Sequence, residues 1–484
     1  MKRFLQKKWL RRLVQTLAVA LSLMAVAYAV TNWWGARMKR DAIAEWQADG
    51  RPLTLAGMLE PLPPDAENFA MLPMFLEVTR EYAGQVDMGR PREGTLGYRM
   101  AEMGRMGDTY FKSERNKTPD FSEWARLNGI DNEPSLILQK FDEKNSEILA
   151  QLRAGISRPF TEPPRWHRIA SDPNALFEPG MPIHTLALIN AGLVLRAEVA
   201  IAANRPDIAL ESVAMGLRVA DLLAAENTFV GAILQVASWS RLQVVMAQAL
   251  DQGIWSEKEL IKLRALIART NESHHVRPIL DLETLAMIGS FTRYRHDRSK
   301  IAAYFGDFSA FAFTMAKTPL LREFVPAGWY DAFLARRIRM NLAQINAHER
   351  AEKSLFEWCR ASAAVDASYG GRGALSQALM PDNDMGIHPR TLRERVSYAT
   401  VRRAQALLAC DLAIFRRKNG RYPTALEELG GEAAITDPMT NQPFHYRVEG
   451  DGYVLYSSGV NGADNGGDKG GERNRYWDAP DWVW

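Results

Sequence analysis

Residues 184–204, HTLALINAGLVLRAEVAIAAN, decide the fold class. Leucine, isoleucine, valine and alanine crowd the stretch with no proline and no strict alternation, which is the pattern of a helix. Asn204 ends it, and Pro206 can open the next helix, because a first-turn residue needs no amide hydrogen. The second helix runs through IALESVAMGLRVADLLAAE, residues 208–226. A third spans roughly Val230 to Leu250 and stops at Gly253. Ser256 and Glu259 then form a capping box, each side chain satisfying an amide left free at a helix start. Helices of about 20 residues joined by turns of about two to six predict antiparallel hairpins packed in series. Further helices are expected from Leu282 to Tyr304 and from Trp329 to Ser368.

Upstream the pattern weakens. Pro159 to Pro182 is proline-dense, and residues 90–135 mix Gly, Arg, Asn and Asp with poor periodicity, read as loops around short helices. Proline-rich GMLEPLPPDAENFAML, residues 57–72, favours extended backbone, so residues 37 to about 70 are read as a stalk. The chain begins MKRFLQKKWLRR, with six cations (Lys2, Arg3, Lys7, Lys8, Arg11, Arg12) and no acid. An apolar run from Leu13 to Val30 follows, and Trp33 and Trp34 come directly after it. About 18–20 helical residues cross a ~30 Å hydrocarbon core. Indole rings favour the lipid–water interface, and a basic flank stays cytoplasmic. The reading is a single-pass anchor in the bacterial inner membrane with the bulk of the chain periplasmic. A cleaved signal peptide is the alternative, because Ala27-Tyr28-Ala29 has the small-x-small form of a cleavage site. Both readings export the rest. A prepilin leader needs a Gly–aromatic processing site with a following Glu, and none is present. No other apolar run reads as long enough to span; the stretch from Phe311 to Leu321, with Lys317 and Pro319, reads as buried helix.

The composition agrees with a folded chain. Of 484 residues, 24% are charged and 47% hydrophobic, which excludes overall disorder. Two cysteines exclude a disulfide framework or a Cys-rich zinc site. A nucleic-acid binder should carry a concentrated basic excess, and the only one is at the N-terminus. Removing those six cations from a chain of net charge +3 leaves −3, so the exported part is slightly acidic.

The last hundred residues change character. Pro389 to Lys418 is a helix with apolar residues at Tyr398, Val401, Leu408, Leu412 and Phe415, interrupted by Gln405: one stripe to lay against something flat. Asn419-Gly420 ends it. Thr424 and Glu427 are read as a second capping box, opening a short helix through Leu429. Then come turn residues DPMTNQP, a strand from Phe444 to Val448, a Gly450-Asp451-Gly452 turn and a strand YVLYS, together a hairpin. A glycine-rich tail begins at Gly459.

This order, a helix followed by NGRYPTALEEL, DPMTNQPFHYR and GDGYVLYSSGVNGADNGG, resembles the globular part of the major pseudopilin of bacterial type II secretion. The resemblance implies a helix on a small antiparallel sheet for residues 389–484, ending in an aromatic-flanked loop that binds calcium. Calcium takes six to eight oxygens. Asn461, Asp464, Asn465 and Asp468 offer side-chain oxygens, and Gly459, Gly462, Gly466 and Gly467 permit the turns around one ion. Asp478 and Asp481 can close the site, as the resembled family's final acids do. The candidate ligands are therefore Asn461, Asp464, Asp468, Asp478 and Asp481, in a structural role; the other reading is a solvated Gly/Asp tail. Two departures stand out. A long body separates the N-terminal helix from this module, so the chain should not join a pseudopilus as a standard subunit. Asn461 also replaces the family's acid after Leu-Tyr-Ser-x-Gly. The whole chain loosely resembles membrane-anchored bacterial proteins that join a helical body to such a module. Within the body, RAEVAIAANRPDIALESVAMGLRVA loosely resembles a tetratricopeptide hairpin, but its period does not repeat, so a plain bundle is expected.

Other constellations have bland readings. His348-Glu349 is half of a zinc-protease motif with Glu352 where a second His is needed, so a charged helix face is expected. His274, His275, Asp281, Glu283, His296 and Asp297 form the densest His/acid neighbourhood, read mainly as caps and surface pairs. The basic TRYRHDRSK from Thr292 reads as a solvated face. Cys359 and Cys410 are expected to pack as small hydrophobes in helices, with a disulfide as the alternative. The expected fold is mainly α, with boundaries at 1–36 (basic segment and transmembrane helix), 37–180 (stalk and irregular, partly helical region), 181–380 (helical-hairpin bundle) and 389–484 (pseudopilin-like α+β domain). The expected function is non-enzymatic: interaction or assembly with envelope protein partners, linked to secretion or pilus-like machinery, beside a lipid bilayer and without nucleic acid. An envelope hydrolase and a cleaved periplasmic ligand binder are the alternatives.

Overall fold

The computed structural model describes residues 2–83, 91–113, 121–172, 175, 182–270, 276–293, 297, 325–351, 354–369, 389–430, 435–470 and 479–484. The helices among them are α1 Lys2–Ala48, α2 Pro73–Ala83, α3 Leu96–Ser113, α4 Ser122–Asn128, α5 Pro134–Lys144, α6 Ser146–Gly155, α7 Arg165–Ser171 and α8 Ile183–Ala202. They continue as α9 Pro206–Ala225, α10 Phe229–Asp251, α11 Glu257–Arg269, α12 Val276–Arg293, α13 Ala327–Arg350, α14 Leu355–Tyr369 and α15 Pro389–Asn419. The strands are β1 Thr436–Asp437, β2 Gln442–Pro443, β3 His445–Glu449, β4 Gly452–Ser457 and β5 Trp482–Val483. Two compact units divide the chain: residues 1–58, 280–346 and 365–386, and residues 59–279, 347–364 and 387–484.

The first unit is built on α1, which runs 47 residues without a break. Its apolar half lies open, with Leu17, Leu23 and Val26 each at least 60% exposed. It has the length and apolar composition to cross a membrane. Beyond Gly35 the same helix enters the core, where Ala42 and Trp46 are fully buried. This corrects the expected stalk: residues 37–48 continue α1, the chain turns at Asp49-Gly50 with Gly50 at φ 74°, and the Pro52 carbonyl accepts the Trp46 indole N–H at 2.8 Å. Between α12 and α13, Phe291 stacks on Phe333 at 6.2 Å, and Asn341 donates to Thr284 Oγ1 at 2.7 Å. The helix expected from Leu282 to Tyr304 is described to Arg293 and begins earlier, at Val276.

In the second unit α8, α9 and α10 form the hairpins expected, with Asn204 and Gly253 in the left-handed region at φ 53° and 60°. Ser256 and Glu259 make the capping box in both directions. Contrary to the expectation of no further long apolar run, α8 and α10 have the length and composition to cross a membrane. Their apolar windows are instead 83% and 61% buried within the protein. Over residues 90–135, expected as loops around short helices, α4 is short, but α3 is a longer helix of 18 residues. Its glycines act as contact points: a Cβ on Gly104 would fall 1.9 Å from Leu188 O of α8. The Glu81 carboxylate caps its start, accepting the amides of Leu96 and Gly97 at 2.9 and 2.8 Å.

The helix expected from Trp329 to Ser368 is broken between α13 and α14. Ser354 Oγ accepts the Glu357 amide, and the amides of Leu355 and Phe356 donate to the carbonyls of Pro438 and Met439 at 3.0 Å. The second capping box is also corrected: Thr424 bonds the Glu428 carboxylate, not Glu427, with its amide at 2.7 Å. Those bonds and Arg421 lower the Glu428 pKa to about 2. β1 and β2 form a small hairpin, and β3, β4 and β5 a three-stranded antiparallel sheet, with Tyr456 opposite Val483 and Ser457 opposite Trp482. α15 buries Val401, Leu408 and Leu412, while its Ala406, Leu407 and Cys410 join the main core of α8–α11.

Candidate functional site

α1 is fastened to α13, and the segment just after it to α12, at successive heights. At the first, two glycines touch: a Cβ on Gly35 would lie 1.8 Å from Gly328 O, and one on Gly328 would lie 2.1 Å from Thr31 O. The Gly328 amide donates to Asn32 Oδ1 at 2.8 Å. One turn on, Lys39 Nζ pairs with the Asp331 carboxylate. Arg339 then grips Glu45 with two nitrogens, at 2.8 and 2.7 Å. That hydrogen bond is the main reason the Glu45 carboxyl lies below its ordinary range. Last, Arg51 Nη1 donates to Asp281 at 2.6 Å, both side chains 5% exposed. Asp281, singled out in the sequence beside histidines, is thus an ion-pair partner. None of these pairings is visible as a local motif, because the partners stand hundreds of residues apart.

The C-terminal loop gathers four of the five sequence-predicted ligands, and Asp478 lies outside the described residues. Asp481, 1% exposed, accepts the amides of Asn465, Gly467 and Asp468 at 3.1, 2.8 and 3.2 Å. Asp464 Oδ1 accepts the Gly466 amide and the Tyr456 hydroxyl, both at 2.9 Å, and these bonds lower its pKa. Asp468 Oδ1 accepts the Gly470 amide at 2.8 Å, and Asn461 Oδ1 the Ala463 amide at 2.9 Å. The donor set is all oxygen, as calcium prefers. Yet among the described residues no three His, Cys, Asp or Glu side chains converge as a metal group, and these carboxylates face backbone amides.

Two residues of α15 hold the chain end. Gln405 Nε2 donates to Trp482 O at 2.6 Å, and Arg402 Nη1 to Val483 O at 2.6 Å, with the Arg402 guanidinium 5.0 Å over the Trp484 ring. Gln405 is the residue that interrupts the apolar stripe, so its signal lay in the sequence while its partner did not. Gly462, at φ +67°, leaves room for the Phe356 ring, which would stand 2.7 Å from a Cβ.

A groove of about 760 Å³ opens between α5, α6, α8, α9 and α11. At its floor Arg196, 1% exposed, meets Asp142 at 2.6 and 2.9 Å and Glu211 at 2.9 Å. Burial raises the Glu211 pKa, but Arg153 and Arg196 outweigh it and leave the group below its usual value. Lys262 lines the same groove with no partner among the described residues. Elsewhere His348 meets the Trp358 ring edge-on at 5.1 Å, and Glu349 pairs with Arg277 at 2.9 Å. His274, His275 and His296 lie outside the described residues. Cys359 and Cys410 are separate buried thiols, both with pKa raised by burial, so the disulfide alternative is not formed.

Compared with known protein families, curated proteins and solved structures, the chain matches none.

Proposed function

We propose that this chain is a single-pass, membrane-anchored protein of the bacterial cell envelope with a non-enzymatic role in interaction or assembly. The observation that carries the reading is the division of α1: an open apolar half preceded by six cations, then a half bolted into the first unit. Such a helix supports a body held at the membrane rather than one diffusing free. The charged groove beside Arg196 and Lys262, and the loop at the C-terminus, are the surfaces we assign to envelope protein partners, with secretion or pilus-like assemblies as the class. The pseudopilin-like reading of residues 389–484 is supported by α15 lying on a small antiparallel sheet. We further assign calcium a structural role at Asn461, Asp464 and Asp468, with Asp478 and Asp481 closing the loop. Fractionation of cells expressing the native chain tests the anchor: it should stay with inner membranes after alkaline washing, with a mature N-terminus still carrying Lys2. Photo-crosslinking from Lys262 should then trap a discrete envelope protein. A soluble chain starting at Val30 overturns the anchor, and absence of any crosslinked species overturns the interaction role.

A further inference from the structure

We propose that the outward stripe of α1, Trp33, Arg37 and Arg40, binds the phosphate of an anionic phospholipid in the leaflet at that end of the span. The inference rests on the membrane-anchor reading and adds a ligand to it. Helical spacing separates two faces. Gly35 and Lys39 meet α13, and buried Ala42 and Trp46 share their face, whereas Trp33, Arg37 and Arg40 recur at the same three- and four-residue intervals about half a turn away. Trp33 and the Arg37 side chain are each 61% exposed, and Arg40 is exposed. Because the inner face is fastened by Gly328 and Asp331, the outer stripe cannot roll inward to find partners in the first unit.

Height and charge select the ligand. From Val30, the end of the apolar run, Arg37 stands about 10 Å further along the axis. The polar layer of a bilayer is roughly 5–8 Å deep on each side, and arginine reaches back along its own stem to lie in it. The Arg37 guanidinium lies 5.8 Å over the Trp33 ring, an indole at the interface. Of the cations on this flank, Lys39 is taken by Asp331. Arg37 has only a 3.8 Å pairing with half-exposed Asp41, and Arg40 has no partner among the described residues. Cations on the exported flank oppose the orientation set by the N-terminus, so they call for a local counter-charge. A guanidinium matches a phosphate with paired N–H donors. Each such cation beside an anionic surface favours association by about fivefold.

The test uses the full chain in phosphatidylcholine vesicles and nanodiscs with and without phosphatidylglycerol. Vesicle flotation reads anchoring, and native mass spectrometry of released protein counts retained lipid. Wild type should keep phosphatidylglycerol adducts, and R37Q/R40Q should lose them at least about threefold at unchanged flotation. R37K/R40K, which keeps the charge, should retain most of them. The N-terminal cations are the same in all variants, so the difference reports the stripe. If R37Q/R40Q alone fails to float, the single variants R37Q and R40Q decide, each expected to lose part of the adduct population in a salt-dependent way. Equal adducts in wild type and in floating variants overturn the lipid site and leave the anchor standing, with a protein as the occupant of the stripe. Failure of wild type to float overturns both.

Discussion

Glu226 follows α9 with a side chain that is 1% exposed. Burial pushes its pKa up to about 7, against the opposing pull of Arg165 and Arg168. In the unfolded chain the group titrates near ~4.3. The folded state therefore holds an extra proton on this group between those values, so the stability Glu226 contributes is fully present below ~4.3 and is lost as pH rises through about 7. Thermal melts at about pH 5 and pH 7 should show this decline in wild type and a smaller one in Glu226→Gln; an identical decline assigns it to another group. Asp481 is the residue whose loss should cost most in the C-terminal loop, because three amides lose their acceptor. Asp481→Ala should lower stability by about 2–3 kcal/mol in denaturant titration, and Asp481→Asn, which keeps one carbonyl, by less. The place of Asp481 in the tail marks it as a candidate ligand. That the carboxylate turns onto backbone amides is not legible there, since it depends on the path of residues 465–468. Gln405 shows the same limit, with Trp482 77 positions away.

Helix ends were the most legible elements. Pro206, Asn204, Gly253 and the Ser256–Glu259 box act within one turn, so local chemistry decides them. α3 was not legible because Gly97 and Gly104 look like turn residues until Glu81 and Tyr82 of α2 close on the first and α8 on the second. The break before α14 was hidden for a similar reason: the carbonyls that capture the amides of Leu355 and Phe356 belong to the distant hairpin of β1 and β2. At this scale the junction of α1 with α13 can be tested alone. A leucine at position 35 meets Gly328 O well inside contact distance, so Gly35→Leu should force the two helices apart. Membrane association should persist, while trypsin cuts at Arg37, Lys39 or Arg40 at least about tenfold faster as the clamp opens more often. Unchanged cleavage would show that α1 does not depend on this crossing.

For the molecule as a whole, the long apolar N-terminal helix, the helical body and the C-terminal hairpin could be read from periodicity and composition. The return of residues 280–346 to the N-terminal helix could not, because it is a long-range pairing of faces. Calcium is a whole-molecule question too, since a ligand bound only to the folded chain must stabilise it. At millimolar calcium the melting midpoint should rise by about 2–4 °C over chelator; coincident curves would leave the amide cradle of Asp481 as what closes the loop. The unbroken course of α1 has a last consequence, one of azimuth. The helix is a keyed shaft: a residue inserted after Val30 turns the open apolar half by about 100° and shifts it about 1.5 Å relative to Gly35. Seven inserted residues nearly restore the bearing while adding about 10 Å of height. Comparing the two insertions separates what depends on the compass direction of the apolar half from what depends on its distance from Gly35.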